Sequence, residues 1–287
     1  MQESDLDAVH EVTNSAFREL VERTTGREVD GPLFAKNMGR YRLSLDPDGC
    51  HVAVKESEVV GANFSVLRGT LGWFGPLAVR SDAQGHGIAQ QLVSACLRSL
   101  QSRGARLMGL ETLANSSQHI HLYQKLGFRP SWTGIGYRGE VGQATMPANV
   151  RVDGDAPLLD YVYRGYDASK DASATRAEQV GVTLRAGTGF AVCHLVPTLW
   201  AEPGITYVPL IAAPDREIFD ALLYAVDAVS RERGKVHVIT QVPGSAWATH
   251  EALIEHGYKP GGAALRMKRG ERLDYDAGSF FYCDDWH

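Results

Sequence analysis

Two short runs of this sequence carry residue types and spacings that could do chemistry. In Gln84-Gly85-His86-Gly87-Ile88-Ala89 the glycines let the backbone turn tightly and leave no side chain between the chain and a ligand. Such a turn at the start of a helix directs peptide N–H groups to one point, a cradle for phosphate oxygens. In Leu122-Tyr123-Gln124-Lys125-Leu126-Gly127-Phe128 a phenol sits on a helix that a glycine ends. Between the two runs stands Glu111, and His119 and His121 come just ahead of the second, so proton acceptors lie close to both in sequence.

These groups need elements to hold them. Ser4-Asp5-Leu6-Asp7 has capping-box character, and Leu6, Val9, Thr13, Phe17 and Leu20 recur at helical spacing, so the chain opens with a helix. A second helix is expected over 33–45, ended by the turn Asp46-Pro47-Asp48-Gly49, and residues 52–54 and 59–64 read as a β-hairpin. A strand follows at 71–79. Over 87–103, Ile88, Leu92, Cys96, Leu97 and Leu100 share one face and Gly104 closes the pattern, which predicts an amphipathic helix. A strand at 107–113, a short helix at 117–126 and extended structure at 128–138 complete a mixed α/β layer with one helical crossover. The polar run 167–178 reads as an exposed loop.

The order repeats. Val208-Pro209-Leu210-Ile211-Ala212 answers Gly75-Pro76-Leu77-Ala78-Val79, Arg233-Gly234 answers Arg103-Gly104, and Gly257-Tyr258-Lys259-Pro260 answers Gly127-Phe128-Arg129-Pro130. Three ordered matches indicate a duplicated fold. The boundary falls in the Gly- and Asn-rich stretch 139–154, giving units 1–145 and 146–287. Opposite the glycine run the second unit reads Glu217-Ile218-Phe219-Asp220-Ala221-Leu222, and opposite Tyr123 stands Leu253. A second phosphate cradle is therefore not expected.

The glycine run resembles the acyl-CoA-binding signature of the GNAT superfamily, Gln/Arg-x-x-Gly-x-Gly/Ala, with Gln84, Gly87 and Ala89 at its fixed positions. The second run resembles that family's late helix ending in Leu-Tyr-x-Lys-Leu-Gly-Phe. The resemblance covers residues 4–138. It implies a mixed, mostly antiparallel central sheet flanked by helices, here duplicated in tandem with a degenerate second unit. It also implies an N-acetyltransferase that moves an acetyl group from acetyl-CoA to a primary amine by direct attack in a ternary complex. By the same resemblance the strand 71–79 splays from its neighbour, and its backbone at Leu77, Ala78 and Val79 meets the pantetheine and the thioester. Pro76 has no N–H, which makes Leu77 the better oxyanion donor. Gln84, Gly85, His86, Gly87, Ile88 and Ala89 would hold the pyrophosphate, Ser116 fills the place of an asparagine that contacts the cofactor arm, and Tyr123 is the general acid. The family's glutamate near the start of the splayed strand has no counterpart in Leu71-Gly72-Trp73-Phe74. Glu111 is the first candidate for the base, His119 or His121 the second, and a chain of waters the third. The family's first strand normally precedes the opening helix, whereas this chain begins almost at that helix.

A dinucleotide site with Glu111 as its ribose acid is disfavoured, because Gln90 stands at the third glycine position and the polar stretch 80–84 separates strand from glycines. A non-catalytic acyl-CoA-binding or scaffold protein is the alternative function, and the intact Tyr123 beside an intact glycine run favours the enzyme. The formal net charge of −5 gives no electrostatic reason to expect nucleic acid or an anionic membrane as partner. With 44% hydrophobic residues, no long apolar segment and an acidic, polar start, a soluble cytoplasmic protein is expected. Cys50, Cys96, Cys193 and Cys283 are scattered without a CxxC pair, so no metal site is indicated. The expected partner is a small-molecule amine or an amino group on a larger acceptor. The second unit would shape the acceptor cleft or stabilise an assembly, which leaves a homo-oligomer open. The tail Phe280-Phe281-Tyr282-Cys283-Asp284-Asp285-Trp286-His287 reads first as a packed terminal strand with charged ends, and second as a cation-binding patch.

Overall fold

Apolar alternation along the strand segments and the helical stripes between them build a layered α/β structure, seen in a computed structural model that describes residues 1–271 and 279–285. The first half runs α1 (Leu6–Thr25), α2 (Met38–Leu45), β1 (Cys50–Lys55), β2 (Glu58–Arg68), β3 (Leu71–Val79), α3 (Ile88–Ser102), β4 (Leu107–Thr112), α4 (Ser117–Lys125) and β5 (Arg129–Glu140). The second runs β6 (Arg151–Val152), α5 (Ser169–Ala177), β7 (Gly181–Ala186), β8 (Gly189–His194), β9 (Ile205–Ala213), α6 (Arg216–Glu232), β10 (His237–Pro243), α7 (Trp247–Glu255), β11 (Lys259–Gly270) and β12 (Phe281–Asp284). The series β7-β8-β9-α6-β10-α7-β11 thus repeats β1-β2-β3-α3-β4-α4-β5.

Among the described residues, the twelve strands belong to one sheet, in the order β1-β2-β3-β4-β11-β5-β10-β9-β8-β7-β6, with β12 on β9. Among the described residues, the pairs β3–β4 and β9–β10 are parallel and the rest antiparallel. The two halves exchange their last long strands. β11 lies against β4 with Arg266 opposite Glu111 and Met267 opposite Leu110, while β5 lies against β10 with Tyr137 opposite Thr240. Each half therefore completes the other's core. Met267 is fully buried in one cluster with Leu110, Tyr123 and Phe128. Tyr137 packs into the cluster of α6 and α7, and its hydroxyl shares a hydrogen bond of 2.9 Å with His250 Nδ1.

Two segments differ from the sequence expectations. The helix expected over 33–45 starts only at Met38, because Phe34 is drawn into a bridge with Trp200 of the second half and its N–H donates to Asn14 Oδ1 at 2.9 Å. The run 167–178 is not a loop but contains α5, whose Asp171, Ala172, Ala174 and Thr175 are buried. Asp171 accepts from Arg68 Nε at 2.8 Å and Nη2 at 2.7 Å, a buried bidentate pair across the two halves. Polarity in sequence concealed a partner far along the chain. Among the described residues no helix is long and apolar enough to cross a membrane.

Exchange of strands predicts unfolding as a single unit. Urea denaturation followed by tryptophan fluorescence and by far-UV circular dichroism is expected to give one coincident transition, with Trp73 in the first half and Trp247 in the second. Two separated transitions would show that each half holds a core of its own.

Candidate active site

The site begins where the ladder between β3 and β4 ends. Three parallel pairs, Leu71 with Leu107, Gly72 with Met108 and Trp73 with Gly109, join the strands, and then they part. Gly109 is required there, because a Cβ would fall inside the Trp73 ring. Pro76, three residues on, brings no N–H to a ladder. Beyond the parting lies a cleft of about 410 Å³ between residues 74–79 and residues 111–113. Its walls also include Phe17 and Leu20 of α1, Leu122 and Tyr123 of α4, and Ala264 from β11 of the second half.

At the end of β3 the chain turns back towards α3. Arg80 pairs with Glu58 at 2.9 Å and Asp82 at 2.7 Å, and Gln84 Nε2 donates to the Val79 carbonyl at 2.9 Å, which pins the loop to the strand. Gly85 and Gly87 have φ of 80° and 77°, the left-handed region that glycine adopts without strain. A Cβ on either would meet nothing within 4 Å, so backbone conformation and not crowding calls for glycine. Gly87 is the N-cap of α3 and supplies no side-chain cap, which leaves the first-turn N–H groups available to a ligand. Gln84, Gly85, Gly87, Ile88 and Ala89 line the cleft. His86 does not. Its exposed ring turns back to the Gln84 carbonyl, 2.8 Å away. Ser116, the N-cap of α4, also lies outside the lining.

Tyr123 does line the cleft and is 6% exposed. Its ring packs edge-on against Phe74 and Phe128 at 5.9 and 6.3 Å, and burial pushes the phenol well above its ordinary range, so it stays protonated at neutral pH. His119 and His121 are cleft residues as well. Burial, with a smaller contribution from Arg23, lowers the pKa of His119 and keeps it neutral. Arg23 and Lys125 bring positive charge to the same lining. Glu111 contributes to the lining, but its side chain is fully buried and ion-paired to Arg266 Nε at 2.6 Å. Alternation along β4 explains this, since Leu110 turns to the cluster of α3 and α4 and Glu111 to the opposite face. Phe17, Leu20, Arg23, Ala264 and Arg266 were not anticipated from sequence. Helical spacing marks Phe17 and Leu20 as apolar residues of α1, but no local pattern brings any of the five to the site, since they arrive from α1 or from the exchanged strand.

The second half shows the same break with a different outcome. β9 and β10 pair at Ile205, Thr206 and Tyr207 and part before Pro209. There β12 fills the gap, pairing Tyr282 with Ala212 and Cys283 with Ile211, both fully buried. The N-terminus of α6 is closed too, as Asp215 Oδ1 accepts from the Ile218 N–H at 2.9 Å. The tail is thus a packed strand up to Asp284, while Trp286 and His287 lie outside the described residues.

The family model described as "Acetyltransferase (GNAT) family" matches residues 6–128, which span α1 to the start of β5. N-alpha-acetyltransferase 30 of Schizosaccharomyces pombe is 32% identical over 100 residues, covering 33% of this chain and 67% of that protein. Mycothiol acetyltransferase of Streptomyces avermitilis is 30% identical over 98 residues, 33% of this chain and about a third, 32%, of its own length. A crystal structure from Pyrococcus horikoshii superposes on 100% of this chain and 93% of its own with a TM-score of 0.70 at 18% identity, a likeness of fold over both halves. With the splayed strands, the glycine turn and the late tyrosine helix in one cleft, the chain belongs to the GNAT acetyltransferase family and is an acyl-CoA-dependent N-acyltransferase.

Proposed function

We propose that the protein transfers an acetyl group from acetyl-CoA to a primary amine, on a small molecule or a larger acceptor, by direct attack in a ternary complex. The observation that carries this is the contrast between two equivalent breaks in one sheet. The first opens onto an uncapped helix N-terminus, and the second is filled by β12 and capped by Asp215. One cofactor site per chain follows, in the unit 1–145, with 146–287 as its degenerate repeat. The pyrophosphate is assigned to 84–89. The pantetheine arm runs along β3, where the Arg80 N–H bonds the Val60 carbonyl of β2 at 2.9 Å. Strand alternation then turns the N–H groups of Val79 and Leu77 to the open side, which supports Leu77 as oxyanion donor and Val79 as pantetheine contact. Arg23 and Lys125 suit a polyanionic cofactor, and both relatives named above are acetyltransferases, which supports acetyl as the acyl group. Four free, buried cysteines fit a reducing cytoplasmic setting.

In the reaction the neutral amine attacks the thioester carbonyl, the Leu77 N–H stabilises the oxyanion, and Tyr123 gives its proton to the departing thiolate. Glu111 is assigned to the proton leaving the amine, relayed by water because its side chain is fully buried. His119, neutral and in the lining, is the second candidate.

Two substitutions test the assignment. Gly87→Ala forces an alanine into a left-handed conformation, at a cost of about 1 kcal/mol in stability. It should also weaken CoA binding by calorimetry, and a folded variant with unchanged affinity would move the phosphates elsewhere. Tyr123→Phe keeps the packing and removes the proton. Turnover in a chemistry-limited assay should fall roughly a hundredfold to ten-thousandfold with little change in CoA affinity, and near wild-type turnover would remove Tyr123 from the mechanism.

A further inference from the structure

Arg266 belongs to the second half by sequence and to the first half's sheet by topology. On β11 it stands opposite Glu111 of β4, and its side chain is fully buried. Its Nε donates to Glu111 Oε1 at 2.6 Å, its Nη1 to Asp284 Oδ1 at 2.6 Å, and its Nη2 to the Asp284 carbonyl at 2.8 Å and, more weakly, to Gln241 Oε1 at 3.4 Å. Gly134 of β5 leaves room for this arrangement, because a Cβ there would come within 2.9 Å of both Glu111 Oε1 and the Gln241 side chain. One guanidinium therefore spans from β4, the wall of the open break, to β12, the strand that fills the closed one.

A guanidinium has a planar fork whose directions are fixed relative to one another, so holding one edge sets the other. Asp284 takes Nη1 through its carboxylate and Nη2 through its carbonyl, which leaves Nε aimed at Glu111 with no freedom to rotate. Burying one cation between two carboxylates is costly, and hydrophobic residues of similar volume would stabilise such a site as well or better. Orientation is what the charged arrangement adds. We infer that Arg266 is a positioning residue for Glu111, and that Asp284 sets its orientation, so that the filled break of the second half braces the acceptor side of the open one. The inference rests on the acyl-transfer function proposed above and on the part given there to Glu111.

A double-mutant cycle tests it. Wild type, Glu111→Gln, Asp284→Asn and the double variant are compared with acetyl-CoA and a primary amine found to turn over in a panel. CoA affinity by calorimetry and melting temperature are measured in parallel. Asp284→Asn keeps the shape and an acceptor oxygen and does not touch the cleft. It should lower kcat roughly tenfold, leave CoA affinity unchanged, and cause no further loss in the Glu111→Gln background. A merely structural Asp284 would cost the same factor in both backgrounds, and that result, or unchanged kcat in either single variant, would overturn the inference. If Asp284→Asn does not fold, Arg266→Lys serves in the same cycle. It keeps the charge but loses the fork, and a loss that multiplies with that of Glu111→Gln would again overturn the proposal. A wild-type protein that bound no CoA would bring down the proposed function and this inference together. Binding and turnover with multiplying losses would remove the inference alone.

Discussion

Three parallel pairs hold β3 to β4, and the rest of the site depends on where that ladder stops. A strand that leaves its neighbour in the middle of a sheet exposes backbone donors and acceptors that must find partners in water, in protein or in a ligand. Trp73 lying over Gly109 marks the last pair, and Pro76 brings no donor to extend it. The second half meets the same requirement at Pro209 with its own chain, since β12 supplies the missing strand. One fold thus offers two answers to one constraint, and the unfilled break is the one that borders an uncapped helix N-terminus.

The exchange of β5 and β11 makes these two breaks parts of one body. Met267 and Ala264 serve a core and a cleft that otherwise belong to the first half, and Tyr137 serves the core of the second. The buried pair of Arg68 with Asp171 ties the halves on their own account. The second half supplies structure to the first through strand partners and through the buried charges around Arg266.

Much of this was legible in the sequence where the signal is local. The helix α3 was readable from periodicity, the strand β3 was expected over its full range 71–79, and the glycine turn was readable from two residues that occupy the left-handed region. Matched prolines at 76 and 209 announced the repeat, and both sit where their strands leave a parallel partner. Elements fixed by distant partners were not legible. Residues 33–37 carry a helical pattern yet stay out of α2, because Phe34 bridges Trp200 and bonds Asn14, and Asp171 of α5 is buried because it meets Arg68. Glu111 was identified as a candidate, but its ion pair was hidden because Arg266 is 155 residues away in the chain. Strand exchange leaves no periodic trace, since a strand has the same alternation whichever neighbour it joins.

The claim that the open break of the first half, and not its counterpart, receives the acyl-CoA is tested most directly by amide hydrogen exchange with and without CoA. The account predicts added protection across residues 77–91 and 117–125, with β9 and the start of α6 unchanged. Protection gained instead at residues 205–222, or equally in both halves, would contradict it.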